Sequence, residues 1–233
     1  MTKVSEYYDE YTKHQSNIGV NKRHRTIMEW LNKFGIQSNM KVLEIGCGIG
    51  TLTSLLAPAL SSGELMANDI SPKSVEIAKK NLSAYSNIEF VTGDMVTLAV
   101  NKQFDLIVMP DVLEHIPMDS HAVLFAKLAK LLKPEGFIFI HIPNPNYQVW
   151  ANQHTPELQQ IIDQAVDTEH LTRCIYPHGL YLHFLSTYSI WLENGDYQAI
   201  VIKKVTEKNY PEIIPPVPPL AKRLLNRLKR IVS

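Results

Sequence analysis

Three glycines at alternate positions, Gly46, Gly48 and Gly50, follow an apolar run that passes through an acid, Val42-Leu43-Glu44-Ile45, and this turn constrains the fold more than any other stretch of the chain. Glycine at those positions removes Cβ atoms from a connection that must bend sharply, and it lets a ligand lie against bare backbone. Residues 50–60 read as a helix, so the turn joins a strand to a helix whose first amides are free. The arrangement admits a nucleotide-type cofactor. Taken alone it also admits a dinucleotide-binding turn or any tight strand-to-helix connection.

The acids that follow narrow the reading. Asp69 closes a second apolar run, Glu64 to Ile70, about where a βαβ unit delivers a carboxylate to two ribose hydroxyls. A third run, Ile88-Glu89-Phe90-Val91, leads into Thr92-Gly93-Asp94-Met95, which would set Asp94 beside an adenine amino group and Met95 against the ring. A fourth, Phe104 to Met109, leads into Pro110-Asp111-Val112-Leu113-Glu114-His115. In an open parallel sheet the strand carboxyl ends share one crevice, so groups far apart in sequence would converge there.

These segments resemble the class I S-adenosylmethionine-dependent methyltransferases. Leu43 to Gly50 is similar to their first motif, Asp69-Ile70-Ser71 to the ribose-binding acid, Gly93-Asp94-Met95 to the adenine motif, and Asp111 to His115 to the fourth motif. Leu131-Leu132-Lys133-Pro134-Glu135-Gly136 is similar to the turn before the fifth strand, with Glu135 where the family often has a second glycine. The resemblance runs from Met40 to Ile142. It implies S-adenosyl-L-methionine as cofactor, held by Glu44, Gly46, Cys47, Gly48, Gly50, Asp69, Ile70, Asp94, Met95 and Asp111. It implies an α/β fold, a Rossmann-like doubly wound seven-stranded sheet with an antiparallel last strand, and an N-terminal helical lid. Tyr11, in the run Tyr7-Tyr8-Asp9-Glu10-Tyr11, is the expected lid contact to the cofactor.

Hydrophobic spacing supports that layout. Helices are expected over residues 2–16 and 20–34, making residues 1–36 a lid; alternating strands and helices follow in a methyltransferase domain over 37–210. Strands are expected at 41–45, 64–69, 87–91, 104–109 and 136–142, with helices at 72–84 and 119–132. An insertion over 143–186 is read as a substrate cap between strands five and six, with His154, Glu169, His170, His178 and His183 too widely spaced for a metal site. Thr187–Glu193 and Tyr197–Lys203 read as two strands joined by a tight turn at Asn194-Gly195-Asp196.

A sulfonium methyl needs only a nucleophile held in line behind it, so the expected chemistry is in-line displacement to an oxygen or nitrogen acceptor on a polar small molecule, a sugar or glycan, or a carboxylate. An alcohol or ammonium acceptor must lose a proton, and His115 and then His141 are the candidate bases. Two other readings compete: an NAD(P)-dependent oxidoreductase, which lacks its Tyr-x-x-x-Lys here, and a cofactor-binding scaffold without turnover.

Charge matters chiefly at the end of the chain. The sequence balances 23 basic against 23 acidic residues, but five of the basic ones (Lys222, Arg223, Arg227, Lys229, Arg230) lie in residues 220–233 with no acid, leaving the rest formally at −5. Leu224, Leu225, Leu228, Ile231 and Val232 fall on one helical face there, behind the proline-rich residues 211–219. This tail over 211–233 could dock on its own domain, on a membrane surface or on a partner protein. The acidic body argues against nucleic acid, and the absence of a signal or of a long apolar run makes cytoplasmic location the expectation, with the tail as a route to peripheral attachment.

Overall fold

The computed structural model describes residues 3–16 and 19–206. Seven strands form one sheet in the order β3-β2-β1-β4-β5-β7-β6: β1 (Lys41–Ile45), β2 (Glu64–Asp69), β3 (Ile88–Thr92), β4 (Phe104–Pro110), β5 (Leu132–Pro143), β6 (Leu180–Tyr188) and β7 (Tyr197–Lys204). Strands β1 to β5 pair in parallel, and β7 runs antiparallel between β5 and β6. This is the doubly wound sheet that the alternation of elements implies.

The period of the central strands divides the core in two. In β4 and β5, Leu106, Val108, Phe137 and Phe139 face one layer, while Ile107, Met109, Ile138 and Ile140 face the other. Both sets are buried, as expected of a sheet covered on each face. The first layer receives Ile27 and Leu31 of α2 (Lys22–Lys33) and Leu56 of α3 (Thr53–Ala59). The second receives Leu124, Phe125 and Leu128 of α5 (His121–Leu131) together with Leu171 and Ile175 of α7 (Thr168–Ile175). Helix α4 (Pro72–Asn81) starts at Ser71, whose hydroxyl accepts from the Ser74 amide at 3.0 Å, with Pro72 in its first turn.

Several boundaries differ from the sequence reading. Helix α3 begins at Thr53 rather than 50, because residues 48–52 are used up in the turn. Strand β5 starts at Leu132, and its register against β4 shifts between Phe104 and Leu106, so Lys133 to Gly136 form an excursion inside the strand. The expected tight hairpin is absent: β6 ends at Tyr188, opposite Tyr197, and residues 189–196 form a longer connection. The cause is Asp196, whose carboxylate accepts from the amides of Ile190, Trp191 and Leu192 at 2.7, 2.9 and 3.3 Å. Strand β6 already begins at Leu180, and α7 packs in the core against α5. Only α6 (Pro145–His154) and the segment after it remain at the strand ends.

Helix α1 (Lys3–Ser16) lies beside α4, with the Ser5 hydroxyl donating to Ile70 O at 3.2 Å and the Ser71 hydroxyl donating to Asp9. The Tyr11 side chain and the tail over 211–233 lie outside the described residues. Among the described residues, no helix is long and apolar enough to cross a membrane.

Candidate active site

The carboxyl ends of β1, β2, β3 and β4 open on a cavity of about 1260 Å³, solvent mouth included. Its floor is the glycine turn. Gly46 and Gly48 hold φ of 79° and 53°, which L side chains rarely adopt, and a Cβ on Gly46 would sit 2.1 Å from Val112 Cγ2. The Asn68 carbonyl accepts from the amides of Gly46 (2.8 Å) and Cys47 (2.9 Å), while the Asn68 side chain donates to Gly93 O at 2.9 Å and Val91 O at 3.2 Å. One asparagine thus ties the turns after β1 and β3 together, a role the sequence pattern did not reveal.

Asp69 ends β2 facing the cavity. Its two oxygens accept from Gly48 N and Ser71 N, each at 2.8 Å. Burial raises its pKa while the amides of Ser71, Gly48 and Ile70 pull the other way. A carboxylate has about four lone-pair sites, so capacity remains for hydroxyl donors from a ligand. Ile70 and the buried Met95 provide apolar wall, and the exposed Asp94 adds a carboxylate at the rim.

Asp111 occupies the wall after β4 with φ 54°, the one positive-φ residue other than glycine among those described. Its carboxylate meets Arg23 Nη1 at 3.1 Å and accepts from His141 Nδ1 at 2.8 Å. Burial pushes its pKa up, but the Arg23 guanidinium and His141 outweigh that and hold it below the usual carboxylate range. Arg23 reaches the cavity because Asn21 and His24 form a capping box that fixes the start of α2. Its Nε is buried without a hydrogen-bond partner.

Glu44 is fully buried under the turn and accepts from the Thr53 hydroxyl at 2.7 Å. Burial lifts its pKa to about 7 against that hydrogen bond. Burial likewise raises the Cys47 thiol.

His115 lines the cavity with its Nδ1 committed. Its Nδ1 donates to Ile162 O at 2.6 Å and lies 3.0 Å from Asp163 Oδ1, and its Nε2 is 3.9 Å from Glu114 Oε1. Burial lowers its pKa, but Glu114, Asp163 and the Ile162 carbonyl overcome this and lift it to about 9. Gln164 fastens the same loop, donating to Ile116 O at 2.7 Å through its side chain and to Glu114 O at 3.0 Å through its backbone.

Of the residues singled out from sequence, Glu44, Gly46, Cys47, Gly48, Asp69, Ile70, Asp94, Met95, Asp111 and His115 line this one cavity. Gly50 does not. Its missing Cβ faces α4, where it would meet Leu82 Cδ1 at 2.8 Å and Ala78 Cβ at 3.2 Å. His141 also lies off the wall, fully buried behind Asp111 and stacked on Tyr197 at 4.7 Å. Arg23, His24 and Gln160 line the cavity without having been signalled by any motif, and from the Tyr7-to-Tyr11 run it is Tyr8 that lines it. From the expected cap only Gln160 lines the cavity, and none of its histidines does. His170 instead turns to α5, with Nε2 3.0 Å from His121 Nδ1.

A nucleoside with a charged amino-acid arm fits these walls: bare backbone on the floor, a carboxylate with spare lone pairs at β2, apolar contacts from Ile70 and Met95, and the Arg23 guanidinium. Residues 42–136 match the family model described as a methyltransferase domain. The malonyl-[acyl-carrier protein] O-methyltransferase of Priestia megaterium is 30% identical over 142 residues, 60% of this chain and 49% of that protein. Nodulation protein S of Bradyrhizobium diazoefficiens is 30% identical over 112 residues, 47% of this chain and 53% of that protein. The chain thus spans about half the length of the curated relatives it matches. Among solved structures, an S-adenosylmethionine-dependent methyltransferase of Clostridium acetobutylicum superposes with TM-score 0.64 at 15% identity, covering 83% of this chain and 96% of that one. The N-methyltransferase NodS of Bradyrhizobium japonicum, complexed with S-adenosyl-L-homocysteine, superposes with TM-score 0.61 at 20% identity, covering 78% and 85%. The glycine turn and the β2 acid are gathered in one crevice, residues 42–136 match a methyltransferase domain, and the fold is that of solved S-adenosylmethionine-dependent methyltransferases.

Proposed function

We propose that this protein transfers a methyl group from S-adenosylmethionine to an oxygen or nitrogen of a polar acceptor, a small molecule, sugar or carboxylate. What supports the reading is that one cavity is lined both by Gly46, Gly48, Asp69 and Met95 and by the polar groups of Tyr8, Arg23, His115 and Gln160. The bound cofactor supplies an electrophilic sulfonium methyl. Everything else falls to the chain's own groups.

In this reading Asp69 accepts the ribose hydroxyls with its remaining lone pairs, and Ile70 and Met95 flank the adenine. Arg23, which lines the cavity, offers its guanidinium to the carboxylate of the methionine arm. His141 and Asp111 do not touch the acceptor; they fix the guanidinium. The Glu114 and Asp163 carboxylates favour the imidazolium form of His115 against its burial, which suits it poorly as a base. Its role is then to anchor the 160–164 loop over the cavity and to donate to an acceptor, rather than to remove a proton. A carboxylate acceptor needs no base and suits such a wall best. The relatives are named both as O- and as N-methyltransferases, which supports either acceptor atom.

The test is calorimetric titration with S-adenosylmethionine, with NADH as competitor, followed by transfer of a labelled methyl to a panel of carboxylates, sugars and amines. Binding of NADH in preference to S-adenosylmethionine, or binding without transfer to any acceptor class, would overturn the reading.

A further inference from the structure

The turn that follows β3 is held at both ends by side chains from other parts of the fold. Residues 94–98 close on themselves: the Asp94 carbonyl accepts from the amides of Thr97 at 3.0 Å and Leu98 at 2.7 Å, and the Asp94 carboxylate accepts from Val96 N at 2.9 Å. Upstream, the Asn68 side chain holds the carbonyls of Val91 and Gly93. Downstream, Lys127 reaches across from α5, its ammonium donating to Met95 O at 2.5 Å and to Leu98 O.

The packing of α5 does not require that lysine. The helix is seated in the core through Leu124, Phe125 and Leu128, all fully buried, and its other lysine, Lys130, is exposed. Lys127 is partly buried and directs its charge at two backbone carbonyls. Burial lowers its pKa while the Asp94 carboxylate pulls the other way. Hydrogen bonds from an ionised donor are about twice as strong as neutral ones, so the pair of carbonyls is tied more tightly than a turn's own amides would tie it.

The turn carries part of the cavity wall. Gly93, Asp94 and Met95 line the cavity, whereas Lys127 lies off it. The Met95 side chain is buried in the same core layer as Leu124 and Leu128, and its carbonyl is on Lys127, so this residue is fixed to α5 at two points. Leu98 transmits the second contact: a Cβ on Gly93 would sit 3.0 Å from Leu98 Cδ1, so the side chain of Leu98 lies directly against the backbone of a wall residue.

We propose that Lys127 is a positioning residue for the purine end of the cofactor, fixing the 94–98 turn before the ligand arrives and so setting the preference for adenine over a purine that lacks the amino group. The proposal rests on the reading of the cavity given above, in which Met95 flanks the adenine. A carboxylate such as that of Asp94 accepts from an amino N–H and finds no donor on a carbonyl. Discrimination of that kind depends on where the polar group is held, and Lys127 holds it without touching cofactor or acceptor.

The experiment is calorimetric titration of the wild type, Lys127→Met and Lys127→Arg with S-adenosyl-L-homocysteine and with S-inosyl-L-homocysteine, in which a carbonyl replaces the adenine amino group. Amide hydrogen exchange is read on the free wild-type protein. The wild type is expected to prefer the adenosyl ligand. Lys127→Met keeps the stem and removes the donors; it should bind the adenosyl ligand about tenfold more weakly and the inosyl ligand almost unchanged, so that the preference collapses. Lys127→Arg keeps the charge and the donors and should restore most of the preference. A methionine variant that keeps the wild-type preference, or loses affinity for both ligands alike, overturns the proposal and leaves Lys127 a contact of the fold only. So does an arginine variant that behaves like the methionine one. The exchange measurement needs no variant: the Thr97 and Leu98 amides should be protected without ligand, and free exchange there would show that the turn is not held in advance. Wild-type protein that binds neither ligand overturns the reading of the cavity itself, a result distinct from a lysine variant without effect.

Discussion

The Asp111 carboxylate accepts from Nδ1 of His141 at 2.8 Å, and this contact, with Arg23 at 3.1 Å on the other oxygen, makes an ionised acid tolerable in the cavity wall. A buried carboxylate without such partners would take up a proton. Ion pairing runs both ways here: Asp111 keeps the guanidinium in place, and His141 keeps Asp111 in place.

Asp111→Asn separates charge from backbone, because asparagine tolerates the left-handed φ of 54° that most residues resist. Removing one partner of a buried pair leaves Arg23 uncompensated and should cost about 3 kcal/mol in stability. With Arg23 no longer held, affinity for S-adenosylmethionine should fall about tenfold or more. Urea denaturation and calorimetry check the two. Unchanged affinity would remove the guanidinium from the cofactor site.

Asp69→Ala should abolish calorimetric binding. Two ribose hydrogen bonds to a charged acceptor are together worth roughly 3 kcal/mol, about a hundredfold in Kd. The variant also frees the Gly48 and Ser71 amides, so the fold must be confirmed by circular dichroism. Retained micromolar binding would move the ribose elsewhere in the cavity.

Gly46 and Gly50 look alike in sequence and differ in structure. At Gly46 a Cβ would collide with Val112 Cγ2 at 2.1 Å on a backbone with φ 79°, so Gly46→Ala should destabilise by about 3 kcal/mol. Adding Val112→Ala removes the collision but not the dihedral strain, so it should recover only part, a coupling that a double-mutant cycle measures. At Gly50, φ is 89° and the obstructing atom is the end of Leu82. Gly50→Ala should therefore cost stability while leaving cofactor affinity nearly intact, measured on the folded fraction.

What could be read from the sequence was what depends on strand ends. Asp69, Met95, Asp111 and His115 each follow an apolar run, and parallel pairing brings such positions together whatever lies between them. Arg23 could not be read this way, because it comes from a helix before the sheet and reaches the cavity by tertiary packing; its local signal, the Asn21–His24 capping box, marks only where α2 starts. The Asn194-Gly195 step suggested a tight hairpin, and Gly195 does turn with φ 80°, but the three amides collected by Asp196 lengthen the connection. His141 was read as facing a substrate because it ends an apolar strand, and the alternation of that strand sends its ring behind Asp111 instead.

The latch between His115 and the 160–164 loop should show in the pH dependence of stability. His115 has an ordinary pKa of 6.5 and about 9 in the folded protein, so protonation favours the folded state. Its contribution is fully present below pH 6.5 and is lost as the pH rises through 9. Glu114 acts in the same direction, since burial raises its pKa and ionising it at higher pH opposes folding. Urea-denaturation stability should therefore fall between those values in the wild type, with up to about 3 kcal/mol of the fall from His115 and a further part from Glu114. The slope should be flatter in His115→Gln. Asp163→Asn, which removes one of the charges raising His115, should shift the fall to lower pH, and proteolysis between residues 156 and 166 should become faster across the same interval. A His115 resonance titrating near 6.5, with a flat stability profile in the wild type, would show that the loop is held by Gln164 alone.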